Sequence, residues 1–148
     1  MKNIRQFAVM ATVCLCLLLS MGKAQNNNAS SHPLFLSTLR INHLCSDYRQ
    51  ALGQQNAVAL NAALNAIGQE LVFANTYFTE LGSPEILEMR NEWVTSFNSL
   101  GGLTIIVIET WAVGNNQLSN SLRHDAIEIV NELVTEGECI RREIQELN

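Results

Sequence analysis

Two histidines in the sequence stand four residues before an acidic residue, a spacing that brings two side chains together on one face of a helix. The pairs are His43 with Asp47 and His124 with Glu128. Each pair could supply two ligands to a metal ion such as zinc, but no third ligand is evident near either pair. We therefore interpret both as solvated surface pairs and expect neither a metal nor a cofactor.

The other reactive residue types form no catalytic motif. The chain has no Gly-x-Ser-x-Gly nucleophile motif, no phosphate-binding glycine loop and no His-Glu-x-x-His zinc motif. No histidine follows a glutamate by three residues, so the metal-binding pairs of di-metal helical bundles are absent too. Cys45 would need a free thiol and an activating histidine to act as a nucleophile. We therefore predict that the protein is not an enzyme.

Two larger sets of residues could form binding surfaces. An acidic stripe recurs at helical spacing near the end of the chain, and it is either a solvated face or a docking face for a basic partner. Six aromatic residues could line an apolar cavity, as in small carriers, or they could simply fill the core. The acidic stripe consists of Asp125, Glu128, Glu132 and Glu136, and the aromatic set of Phe73, Tyr77, Phe78, Trp93, Phe97 and Trp111.

The first 24 residues have the features of a secretory signal peptide. Two basic residues precede an apolar run from Phe7 to Ser20, which is too short to span a bilayer comfortably. The small residues Gly22 and Ala24 suit the −3 and −1 positions of a cleavage site. We expect residues 1–24 to be removed and the mature protein to be extracellular, with no attachment to a membrane.

Cleavage changes the charge and the cysteine count of the chain. The mature protein keeps six arginines and fourteen carboxylates, a net charge of −8, and such an acidic surface disfavours binding to nucleic acid. Of the four cysteines, only Cys45 and Cys139 remain. Two cysteines in an exported chain most often form one disulfide, so we predict a Cys45–Cys139 bond. Two free thiols or a disulfide-linked dimer are the alternatives.

Residues 25–33 are polar and are predicted to form a flexible leader. They contain the chain's one N-x-S/T sequon, which makes Asn28 a possible glycosylation site in a eukaryotic host. The alternative is a chance motif that stays empty. The remaining residues, 34–148, show no internal repeat and are predicted to form one domain.

The segment Asn56–Leu81 dominates the predicted domain. Its apolar residues follow alternating steps of four and three, the a/d spacing of a helix that packs along its whole length. Leu34–Leu52 has helical spacing as well, with Gly53 as its C-cap, and Asn56 can cap the second helix. The a/d positions of the second helix are Leu60, Leu64, Ile67, Leu71, Ala74, Phe78 and Leu81.

Turn signals separate two further helices. Gly82, Ser83 and Pro84 provide a C-cap, an N-cap and a first helical residue in succession. The third helix is expected to be broken at Gly101-Gly102. Its continuation, Leu103–Val113, is β-branched and apolar all round, so it is either a buried strand or a buried helix. We interpret it as helix, because no second strand is available to satisfy its backbone.

The predicted fold is therefore all-α, an antiparallel up-down bundle of four main helices. The first and last helices are neighbours in such a bundle. At 1.5 Å per residue, Cys45 and Cys139 lie about 16 Å and about 12 Å from the same end, so a disulfide between them is feasible. We hypothesise a secreted protein that acts by extracellular protein–protein interaction, with a carrier of an apolar small molecule as the alternative.

Overall fold

The computed structural model describes residues 29–147, and that part of the chain is all-α with no strand. This confirms the predicted fold class. The signal peptide and the sequon residue Asn28 lie outside the described residues, so secretion and glycosylation stay predictions. The four helices are α1 (Pro33–Gly53), α2 (Ala57–Leu81), α3 (Pro84–Ala112) and α4 (Asn116–Glu146).

Side-chain caps fix most of the helix boundaries where the sequence predicted them. The Asn56 Oδ1 atom accepts a hydrogen bond from the Ala59 amide at 3.0 Å and starts α2. Gly82 ends α2 in the left-handed conformation with φ of 63°, and Ser83 caps α3. The end of α1 differs from expectation, because the positive φ of 53° falls at Gln55 and not at a glycine.

The helices pack in a closed ring, α1 against α2, α2 against α3, α3 against α4 and α4 against α1. Short turns join successive helices, so each runs antiparallel to the next. Two hydrogen bonds set the register of α1 against α4. Arg141 donates to the Thr38 hydroxyl at 3.1 Å, and Arg49 donates to the Asn131 side-chain oxygen at 2.6 Å.

The core lies along the axis of the bundle and includes most of the predicted seam of α2. Leu60, Ile67 and Phe78 are fully buried. The rings of Phe78 and Trp93 meet edge to face with centroids 6.0 Å apart, a favourable aromatic arrangement. The indole N–H of Trp93 donates to the Leu133 carbonyl at 2.9 Å and so ties α3 to α4.

The predicted break at Gly101-Gly102 is wrong, because α3 is continuous through both glycines. Each glycine weakens a helix interior by only about 1 kcal/mol relative to alanine. Leu100, Thr104 and Val107 flank the glycines on one face and are fully buried. Burying a leucine or valine side chain is worth about 1.5–3 kcal/mol, so packing outweighs the glycine cost.

The segment after these glycines is helical, as interpreted, but it is not buried on all sides. Ile105 is 59% exposed and Ile106 is 48% exposed. Only the face that carries Thr104 and Val107 meets the bundle interior. The β-branched composition therefore reflects neither a strand nor a fully enclosed helix.

The predicted disulfide is wrong, because Cys45 and Cys139 are both free in this structure. In the register set by the two arginine hydrogen bonds, Cys45 lies level with residues 134–135 of α4. Cys139 is then displaced along the axis by four to five residues, about 7 Å. Added to the spacing between the helix axes, this displacement exceeds the reach of a disulfide.

Candidate functional site

The acidic stripe of α4 does not form one solvated face. Asp125, Glu128 and Glu132 are exposed, whereas Glu136 is partly buried between α4 and α3. The Ser96 hydroxyl donates to Glu136 Oε1 at 2.9 Å, and the other carboxylate oxygen is buried without a hydrogen-bond partner. Desolvation by burial raises the pKa of Glu136, the Ser96 hydrogen bond opposes this, and the charges of Glu92 and Glu132 raise it further.

The two histidine pairs are exposed, as the sequence indicated. His43 Nε2 lies 4.0 Å from Asp47 Oδ2, and His124 Nδ1 lies 3.7 Å from Glu128 Oε1. Asp125 joins the second pair, so that one ligand atom from each of three residues lies within 4.8 Å of the others. All three lie on one turn of the exposed face of α4. No second helix helps to hold their orientation, so they provide no preformed metal cage.

The six aromatic residues are not gathered around one cavity. Phe78 and Trp93 pack against each other in the core. The Phe97 ring fills the space over Gly68, where an added Cβ would lie only 2.8 Å from Cζ. The Gly68 position therefore admits a ring of α3 close to the backbone of α2.

The other three aromatic residues lie nearer the surface. Trp111 donates its indole N–H to the Ser119 hydroxyl at 2.8 Å, across the turn between α3 and α4. Phe73 and Tyr77 meet edge to face with ring centroids 5.2 Å apart, and His32 contacts Tyr77 at 6.2 Å. His32 also accepts the Leu34 amide and caps α1. This small cluster connects the start of α1 to the C-terminal part of α2.

Three shallow grooves between the helices are open to solvent. One lies between α1 and α2 over small side chains such as Ala51, Ala62 and Ala66, and a second lies beside Leu39 and Arg40. The third runs between α3 and α4 over acidic side chains. None of these three grooves is lined by the six aromatic residues, so they are no cavity for an apolar ligand of the predicted kind.

The surface that stands out is the outer side of α2, which sequence reasoning missed. A second set of positions follows the same four-three spacing, offset by two residues from the buried seam. Every member is exposed and uncharged, and Val58 and Val72 are 81% and 75% exposed. We call this set the neutral face. It consists of Val58, Ala62, Asn65, Gln69, Val72, Thr76 and Thr79.

The neutral face is unusual in a strongly acidic protein. Between Ala57 and Thr79 the one charged residue is Glu70, which turns towards α1 to accept from the Ser37 hydroxyl at 2.6 Å and from Arg40 at 3.3 Å. The two halves of the bundle differ accordingly. Residues 29–81 carry two arginines and three carboxylates, whereas residues 82–147 carry four arginines and eleven carboxylates. The net charges are −1 and −7.

The apolar character of α2 exceeds what its place in the bundle requires. Its most apolar window has a mean hydropathy of 1.3 with 28% of the window buried, so by length and composition it could cross a membrane. In the bundle, the buried seam of α2 packs against α1 and α3, whereas Val58, Val72 and Phe73 remain exposed. No protein-family model matches the chain, and comparisons with curated proteins and with solved structures find no match.

Proposed function

We propose that the mature protein is a secreted, non-enzymatic interaction protein that binds an uncharged helical surface through its neutral face. The observation that carries this proposal is the outer side of α2, where Val58 and Val72 are 81% and 75% exposed and no member of the neutral face is charged. Burying an exposed valine stabilises a complex by about 1.5 kcal/mol or more. Val58 and Val72 therefore provide a driving force that the isolated bundle leaves unused.

The chemistry of the surface favours binding over catalysis. Neutral side chains such as Asn65, Gln69 and Thr76 neither titrate near neutral pH nor act as nucleophiles without an activating base. They can form hydrogen bonds at an interface while Val58 and Val72 are desolvated. This combination of apolar contact with satisfied polar groups is typical of protein interfaces.

Native mass spectrometry of the secreted mature protein tests the proposal against the carrier alternative. We expect the mass of the bare chain, with a glycan where the host adds one. A retained adduct of lipid size would overturn the proposal and identify a carrier, because an apolar ligand must then have displaced side chains inside the bundle.

Site-specific photo-crosslinking tests the surface itself. A photoreactive amino acid replaces Val72 on the neutral face, and the matched control replaces Val94, an exposed valine of α3. We expect crosslinks to a protein from position 72 and none from position 94. Equal crosslinking from both positions, or crosslinking from position 94 alone, would show that the neutral face is not the binding surface.

A further inference from the structure

We infer that the partner on the neutral face is a second copy of this chain, docked α2 against α2 in a symmetric dimer. The inference rests on the proposed function and names the partner of the same surface. It draws on the length and the polar chemistry of the neutral face and on the charge distribution between the two halves of the bundle.

The neutral face is long enough to lie along a second helix. Its seven exposed positions alternate in steps of four and three from Val58 to Thr79, a length of about 32 Å. Side chains in this pattern insert between the side chains of a facing helix with the same repeat. The neutral face of another α2 has that repeat over that length.

The polar members of the neutral face suit pairing with themselves. Asn65 and Gln69 carry amides, and Thr76 and Thr79 carry hydroxyls, and each of these groups both donates and accepts hydrogen bonds. In a twofold dimer the same patch must match itself. A face built on arginines or carboxylates would oppose like charges across the axis, whereas Gln69, near the midpoint of α2, can pair with its own counterpart.

The charge distribution selects this side of the bundle for contact between copies. Each mature chain carries a net charge of −8, with −7 of it on the α3–α4 half. Contact through α2 leaves the two acidic halves on opposite outer sides. With 8–10 Å between neighbouring helix axes, the α3 helices of the two copies lie roughly 30 Å apart, several Debye lengths at physiological salt.

The size of the surface indicates a weak dimer. A strip about 32 Å long and about 10 Å wide buries roughly 640 Å² from the two copies together, below the roughly 1,200 Å² or more of stable interfaces and within the range of weak ones. We therefore expect a reversible dimer with a dissociation constant in the micromolar range. Because residual repulsion between the acidic halves is screened by salt, dimerisation should strengthen when the ionic strength rises.

Analytical ultracentrifugation of the mature chain from about 1 µM to about 500 µM tests the inference. We expect the wild type to shift reversibly from monomer to dimer as concentration rises. Val72→Glu should remain a monomer, because two carboxylates would be buried near the interface without partners. The matched control Val94→Glu should dimerise like the wild type. Circular dichroism of both variants verifies that the helices still form.

The outcomes separate the inference from the proposed function. A wild-type protein that stays monomeric throughout, or a dimer that Val72→Glu leaves intact, overturns the dimer. If position 72 still crosslinks to a different protein, the proposed function survives this failure. Sedimentation with phosphatidylcholine vesicles adds one further arm, because vesicle binding that Val72→Glu abolishes, with no dimer, would assign the neutral face to a membrane surface and overturn both.

Discussion

Tyr48 of α1 and Thr104 of α3 are joined by a 2.7 Å hydrogen bond between their hydroxyl groups, and both residues are fully buried. Thr104 also contacts the Leu100 carbonyl at 2.7 Å, where it must donate. A hydroxyl has one proton to give, so Tyr48 donates to Thr104. The result is a directed chain of hydrogen bonds between two helices that are diagonal in the ring, at a level where the core is otherwise apolar.

We expect Thr104→Val to destabilise the protein more than Tyr48→Phe does. The valine leaves the buried Tyr48 hydroxyl without its acceptor, which costs about 1–3 kcal/mol, whereas the phenylalanine removes one hydrogen bond worth about 0.5–1.5 kcal/mol. Urea unfolding of both variants and of the double variant measures the difference. The double variant should cost less than the sum of the single ones, and strict additivity would contradict the directed chain.

Alanine at Gly101 and at Gly68 should have different effects on stability. Nothing lies within 4 Å of a Cβ added at Gly101, so Gly101→Ala should stabilise the protein by up to about 1 kcal/mol. At Gly68 the same gain is opposed by the Phe97 ring, whose Cζ would lie 2.8 Å from the new Cβ. Thermal or urea unfolding of Gly68→Ala should therefore show little gain in stability, or a loss.

A second substitution isolates the steric cause at Gly68. Phe97→Leu in the Gly68→Ala background removes the ring that the new methyl group meets. The effect of Gly68→Ala, measured relative to Phe97→Leu alone, should then approach the gain seen at Gly101. A Gly68→Ala effect that is unchanged by Phe97→Leu would show that the ring is not responsible.

Glu136 should make the protein less stable as the pH rises through the acid range. Its pKa is raised from the ordinary value of 4.5, chiefly by burial, so the folded state holds this proton more tightly than the unfolded state. Ionising Glu136 in the folded protein costs free energy of folding. This cost is absent at pH values below the pKa of Glu136 in the unfolded state and complete at pH values above its pKa in the folded state. Glu136→Gln should therefore stabilise the protein at pH 7 relative to wild type, and this gain should shrink as the pH falls through the folded-state pKa and be lost below 4.5. A gain that is constant with pH would contradict burial of the charge.

The two cysteines should differ sharply in reactivity towards iodoacetamide. Burial raises the pKa of Cys45 to about 11, with a smaller opposing effect from Arg49, so at pH 8 only about one thiol in a thousand is ionised. Cys139 is only partly buried. In the native mature chain we expect alkylation at Cys139 first, and at Cys45 only after unfolding. An intact mass that increases by about 2 Da on reduction would instead show that a disulfide forms.

Local signals along the chain predicted the helices well, because the forces involved are themselves local. Asn56, Ser83 and Asn115 cap helices through bonds to amides three residues ahead, and Gly82 supplies a backbone conformation that few other residues adopt. The buried seam of α2 was equally readable, since one helix face must be apolar to enter a core. These features depend on neighbours that are close in sequence.

The wrong predictions concern relationships between helices. The Cys45–Cys139 bond depended on the register of α1 against α4, which is set by tilt and by contacts such as Arg141 with Thr38. The break at Gly101 depended on whether packing of Leu100 and Val107 outweighs a modest backbone cost. The neutral face was present in the spacing of α2, but only the structure separated the seam that faces the core from the seam that faces solvent.

The separation of charge between the two halves of the bundle gives the molecule a permanent electric polarity across its width. Near a cationic polymer or an anion-exchange resin, the α3–α4 side will be drawn to the surface and the molecule will adsorb in a preferred orientation. The uncharged helix α2 then points away from the support. Immobilisation through charge alone will thus display that helix to the surrounding solution, whereas random chemical coupling will hide it in many of the attached molecules.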